Sequence, residues 1–252
     1  MPITANTLYR DSINFLKSQM LNIVILSVLA ALVTTLLEHF LMPNGEQLKL
    51  LIEIQNAFKE SGNAGIKDFV AQLTPDEQFM FLRTAFGILF TNIFGNTLLT
   101  ASVLVLINAV SNGRQTNAIH AGTLSIALLP KMFLLMFICT LLVQIGYALM
   151  FLPGVLFSIA FALAPIFLFE KGKNVFAAMQ ESWKLAFNNM RLLIPAMLLW
   201  IAVKLILVLV LVKMPDMLLS MLNNLLSALL LIYLFRLYML VKPQNKATNS
   251  MQ

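Results

Sequence analysis

An all-α, polytopic membrane protein is the fold class this sequence predicts, and three observations predict it. Between Lys131 and Glu170 the chain runs 38 residues without a charged side chain. A hydrocarbon core roughly 30 Å thick takes about 20 helical residues, so this run is two spans, and Pro153-Gly154 reads as the turn between them. Second, 60% of residues are hydrophobic and only 11% charged, against roughly 25% charged in soluble domains. Third, Leu, Ile, Phe, Met, Ala and Val come in blocks rather than in two-residue alternation, which favours helices that satisfy their own backbone over a β-barrel.

Six spans follow in order, at about Leu21–Leu37, Phe86–Ala109, Met132–Leu152, Val155–Phe169, Leu192–Val212 and Met217–Leu234. No small-x-small cleavage site follows the first apolar run, so it reads as a retained span. Lys and Arg placement sets the orientation. With the N-terminus inside, Arg10, Lys17, Arg114, Lys131, Lys171, Lys173, Lys184, Arg191, Arg236, Lys242 and Lys246 are cytoplasmic; Lys49, Lys59, Lys67, Arg83 and Lys213 are outside. Both termini are therefore expected in the cytoplasm and the protein in a bacterial inner membrane. Residues 1–252 form one integral membrane domain on this reading, and 242–252 a flexible cytoplasmic tail.

The outer loop, residues 38–83, carries seven acidic and four basic residues. Gly45–Phe58 places Leu48, Leu51, Ile52 and Phe58 on or near one helical face. Ser61–Gly65 reads as a flexible break. Thr74-Pro75-Asp76-Glu77 is a helix start, with Thr74 as cap, Pro75 at the first helical position and Glu77 placed to close a capping box. The loop is either a docking cap for an envelope partner or a solvated linker, and composition favours the linker.

Amphipathic segments precede the odd-numbered spans. Tyr9, Ile13, Leu16 and Met20 share one helical face, as do Phe176, Met179, Trp183, Ala186 and Met190. The two segments align without gaps, Ser12 with Ser182 and Met20 with Met190, and Ala118–Leu129 is a weaker version before the third span. The chain thus reads as three units, each an interfacial helix feeding a two-span hairpin; chance similarity between amphipathic linkers is the alternative. Such helices bury an apolar face at the headgroup boundary while basic residues meet anionic lipid, so anionic membrane lipids are the expected partners. The basic residues flank spans rather than forming a patch, which excludes nucleic acid as a partner.

Lys204, in the middle of the fifth span, is the costliest residue. A central Lys costs about 2.5 kcal/mol or more, and no span holds an Asp or Glu to pair with it. With Asn92, Asn96, Gln144, Asn223 and Asn224 it forms the candidate intramembrane polar set. Either Lys204 faces the bundle interior as a site for an anionic solute or lipid headgroup, or it snorkels outward along its stem. The Asn residues also serve as ordinary interhelical glue. His39 and His120 stand alone, so no metal site is expected, and lone Cys139 cannot form an internal disulfide. No catalytic set, P-loop or Rossmann glycine pattern is present. No cofactor and no enzymatic activity are expected.

Several stretches resemble the YciC-type family of uncharacterised enterobacterial inner-membrane proteins: Ile3-Thr4-Ala5, Leu8-Tyr9-Arg10-Asp11, Leu141–Gly146, Ala162-Leu163-Ala164-Pro165, Asn188–Leu192 and Leu231–Leu240. The resemblance covers essentially the whole chain and implies a multi-span inner-membrane protein; it carries no site residues. More loosely, Ala164-Pro165 through Ser182-Trp183 is similar to a motif in membrane domains attached to some glycerophosphodiester phosphodiesterases, whose catalytic domain has no counterpart here. The expected function is a non-enzymatic accessory or scaffold factor in envelope or lipid homeostasis. The alternative is a small transporter or channel for an anionic solute or lipid using Lys204.

Overall fold

Helices account for every regular element among the residues that the computed structural model describes: 5–41, 73–149, 151–172, 174–211 and 215–249, with Lys49, Ile52 and Asn56 between. In chain order these are α1 (Ala5–Ser18), α2 (Met20–Leu41), α3 (Pro75–Ser111), α4 (Ala118–Ser125), a 3-10 turn (Ile126–Leu128) and α5 (Leu129–Leu149). Then come α6 (Phe151–Phe161), α7 (Ala164–Lys171), α8 (Val175–Asn188), α9 (Met190–Val210) and α10 (Asp216–Asn249). Six stretches are long and apolar enough to cross a membrane: Met20–Leu41, Pro75–Ser111, Ala118–Leu149, Leu152–Glu170, Met190–Val210 and Met217–Val241. They coincide with the six spans read from hydropathy. If each crosses once, the three linker helices α1, α4 and α8 fall on one side.

The chain divides into two compact units, Val33–Phe94 and the combination of Met1–Leu32 with Gly95–Gln252. In the smaller one, the Thr74 backbone N–H and hydroxyl both donate to the Glu77 carboxylate (2.7 and 2.8 Å), and the Glu77 N–H donates back to Thr74 Oγ1 (3.4 Å). The capping box starts α3 where the sequence places it, satisfying donors that the helix end would otherwise leave unpaired. Gly87 is buried, and a Cβ there would meet the Leu41 carbonyl oxygen at 3.4 Å. The helix expected over Gly45–Phe58 and the break at Ser61–Gly65 lie outside the described residues, apart from isolated positions.

In the larger unit the core is built from large and very small side chains together. Leu8, Ile23, Leu104, Met132, Leu135, Ile166, Tyr233 and Phe235 are buried alongside Ala30, Ala101, Ala160, Ala164, Ala178, Ala186 and Ala228. Lipid offers no hydrophobic drive for helix association, so close approach at small residues and van der Waals contact hold the spans together. The α5–α6 hairpin is the clearest case: a Cβ on Gly146 would come within 2.9 Å of the Gly154 backbone.

That hairpin corrects the sequence reading in one respect. Pro153 and Gly154 do not form the turn; they sit in the first turn of α6. Proline fits there because the first helical residues need no N–H partner. Gly154 serves packing against α5 instead. At the other end, α10 continues to Asn249 and so covers residues 242–249 of the segment expected as a flexible tail.

The structure bears on the three-unit reading directly. Helices α1 and α8 are both 14 residues long, and each is followed by one non-helical residue, Gln19 or Asn189, before a long span. A constant offset of 170 takes Ala5 to Val175, Ser18 to Asn188 and Met20 to Met190. The same offset matches buried residues: Leu8 with Ala178, Ser12 with Ser182, Ile23 with Leu193, Leu26 with Ala196 and Ser27 with Met197. In α4, Ser125 occupies the eighth helical position, as Ser12 and Ser182 do in theirs, and is likewise buried.

Two of the linker helices share a packing pattern. Helix α1 lies on α10, with Tyr9 and Tyr233 ring centroids 4.9 Å apart. Helix α4 is tied to α3 by a 3.0 Å hydrogen bond between Ser125 and Ser102 hydroxyls. Helix α8 lies on α6 and α7. Helices α1 and α8 therefore lie on the second spans of different hairpins, six and four. Helix α4 touches span two through Ser125 and span one through the Ala118 N–H, which donates to the Asn22 side chain (3.1 Å).

Candidate functional site

The fourth span is broken. Helix α6 ends at Phe161, α7 begins at Ala164, and Pro165 in the first turn of α7 has no N–H to continue the ladder. An interrupted backbone in a membrane leaves polar groups that lipid cannot satisfy. Ser182, fully buried on α8, repairs the gap: its hydroxyl donates to the Ala160 carbonyl (2.6 Å) and accepts from the Leu163 N–H (3.2 Å). One hydroxyl is enough because it both donates and accepts. The clamp fixes α8 against the middle of the span.

Fixing Ser182 also fixes its neighbour. The Trp183 ring stands 5.9 Å from Phe161, 6.0 Å from Phe157 and 5.1 Å from Phe187, centroid to centroid. Phe157 and Phe161 are themselves stacked at 6.0 Å. Beside this cluster an open cleft of about 350 Å³ is lined by Phe161, Met179, Gln180, Trp183 and Lys184. Its wall is aromatic and thioether, its polar groups are one amide and one ammonium, and none of the lining residues is acidic. Glu181, on the same helix, is half-buried and makes its own interaction.

Basic side chains surround the linker helices. Arg10, Lys17, Arg114, Lys131, Lys184 and Arg191 are all exposed, whereas among the acidic residues of these segments only Asp11 is. Arg236 differs. Sequence reading set it just past the sixth span, but α10 continues through it, and its guanidinium lies 5.4 Å from the Phe15 ring centroid of α1 with Nε buried. Hydropathy could not have revealed that contact, because it joins the two ends of the chain.

The intramembrane polar set is dispersed. Lys204 Nζ lies 4.4 Å from the ring centroid of Trp200, one turn earlier on its own helix. Asn224 donates to the Ser27 carbonyl on α2 (3.2 Å), acting as interhelical glue. Asn223 is half-buried, with its carbonyl taken by the Ser227 hydroxyl. Asn96 and Gln144 are exposed. Among the described residues of this unit, Lys204 forms no hydrogen bond with any of these four. In the smaller unit Asn92 is exposed and donates to the Ile88 carbonyl of its own helix (2.8 Å). Cys139 is a half-buried free thiol, and His39 and His120 are exposed. Among the described residues no three His, Cys, Asp or Glu side chains come together as a metal site.

Comparison with known proteins places this architecture among relatives. A family model described as "Uncharacterised protein family (UPF0259)" matches residues 1–240. A UPF0259 membrane protein of Photorhabdus laumondii is 51% identical over 255 residues, covering 98% of this chain and all of that one. UPF0259 membrane proteins of Yersinia pestis and Yersinia pseudotuberculosis are each 46% identical over 250 residues, covering 96% of this chain and 98% of theirs. No solved structure matches.

Proposed function

The chain belongs to the UPF0259 family of membrane proteins, and from that premise we propose that it is a non-enzymatic accessory factor of the bacterial inner membrane that gathers anionic lipid at its cytoplasmic face. The observation that supports this reading is the charge of the linker helices. Helices α1 and α8 pack against spans while Arg10 and Lys17 on the first and Lys184 on the second stay exposed, as do Lys131 and Arg191 in the first turns of the spans α5 and α9. A basic side chain near an anionic leaflet contributes about 1 kcal/mol of attraction. The positive-inside bias then sets these helices and both termini in the cytoplasm.

A transporter built on Lys204 gains little support, since that lysine stacks on its own helix and its polar companions bond elsewhere. The accessory reading is tested by replacing Arg10, Lys17, Lys184 and Arg191 together with Gln. Purified in native-membrane discs, the wild-type protein is expected to carry anionic lipid in excess of the bulk membrane, and the fourfold variant to lose that excess. An unchanged lipid profile, with full complementation of a deletion strain, overturns the proposal.

A further inference from the structure

The cleft beside Trp183 has a chemistry more specific than a charged surface. Its lining residues supply an apolar wall of Phe161, Met179 and Trp183, a single cation at Lys184, an amide at Gln180, and no carboxylate. It borders a membrane-spanning helix, since Phe157 and Phe161 belong to the fourth span. Its position is fixed rather than fluid, because Ser182 ties α8 to both sides of the break in that span.

We propose that this cleft is a binding site for one anionic glycerophospholipid, its phosphate held by Lys184 and Gln180 and its upper acyl chains lying on Phe161, Met179 and Trp183. The occupant must combine hydrocarbon with a negatively charged oxygen head, because the walls offer nothing to a wholly polar solute and the lysine nothing to a neutral hydrocarbon. A volume of about 350 Å³ is at the lower end of ligand clefts, roughly 300–1,000 Å³. It holds a glycerol-phosphate portion while the chains continue along the aromatic cluster into the bilayer. This site rests on the lipid-gathering reading above and adds to it a single occupant at a defined place.

The two tryptophans of the chain make the test direct. In Trp200→Phe, fluorescence comes from Trp183 alone. That variant is reconstituted in phosphatidylcholine vesicles containing either brominated phosphatidylglycerol or brominated phosphatidylcholine, and quenching is measured against the brominated fraction. Trp183 should prefer phosphatidylglycerol about fivefold, the ratio that about 1 kcal/mol of lysine–headgroup attraction gives. Lys184→Gln, a change at an exposed side chain, should bring the ratio near one, and Lys184→Arg should retain it. Equal quenching by both lipids, or a preference untouched by Lys184→Gln, overturns the site. If Trp183 shows the preference while the whole protein carries no excess anionic lipid, the general reading fails and the site stands. With excess lipid present and no preference at Trp183, the site fails and the general reading stands.

Discussion

Ser182 and Ser12 occupy matching positions in α8 and α1, are equally buried, and do different work. Ser12 donates only to the Leu8 carbonyl one turn back on its own helix (2.7 Å). Ser182 instead joins two chain segments across a break. Leaving buried backbone groups unsatisfied costs about 1–3 kcal/mol, so Ser182→Ala should destabilise the protein by that amount in detergent unfolding. Ser12→Ala, which frees a carbonyl already inside a helical ladder, should cost less than about 1 kcal/mol. Equal losses in the two variants would mean that Ser182 contributes only burial. The sequence alignment identified the pair, but not their roles: which backbone groups are orphaned depends on a break that periodicity does not register.

The same limit shows in the two prolines of the later spans. Pro165 accompanies an interruption at Ala162-Leu163, whereas Pro195 sits inside α9, which continues without one. Hydropathy treats the two alike; what separates them in the fold is position, since Pro165 opens a helix after the break while Pro195 is held inside one. The Ser182 that satisfies the break lies 17 residues downstream of Pro165 in sequence. Local signals fared better. Thr74 and Glu77 are three residues apart, and their reciprocal bonds follow from helix geometry alone. Losing that cap should matter locally: Thr74→Ala is expected to cost about 0.5–2 kcal/mol and to speed hydrogen exchange at residues 76–79. Exchange there at the wild-type rate would show that the first turn of α3 is held by other contacts. Lys204 falls between these cases. Its place within the fifth span was legible, but its companion Trp200 was one of several side chains within reach.

Across the whole molecule, span number was legible because each span is written in a contiguous stretch, whereas the linker faces were read only in part. Helix α1 buries Leu8, Ser12 and Phe15, while Ile13 and Met20 of the expected face are exposed. Helix α8 buries Ala178 and Ser182 with Met179 and Ala186 and leaves Phe176 exposed. Pairings between linker helices and distant spans were not legible, because they join positions far apart in sequence. The longest of these brings the first helix onto the last: Tyr9 meets Tyr233, and Arg236 reaches Phe15. If the first and third units follow one packing rule, this contact is the counterpart of α8 on the fourth span, and it ties together the two ends of the chain. The pairing can be read covalently. In a Cys139→Ser background, which removes the one native cysteine, Tyr9→Cys with Tyr233→Cys should cross-link within a single chain under mild oxidation or with a short bifunctional maleimide. Asp11→Cys with Tyr233→Cys serves as the comparison, because Asp11 is exposed and lies about 200° round α1 from Tyr9, and it should react poorly. Efficient linkage of the first pair alone places α1 on the sixth span in the membrane. Equal linkage of both would mean that α1 rolls freely at the interface, and linkage only between chains would assign the contact to an oligomer.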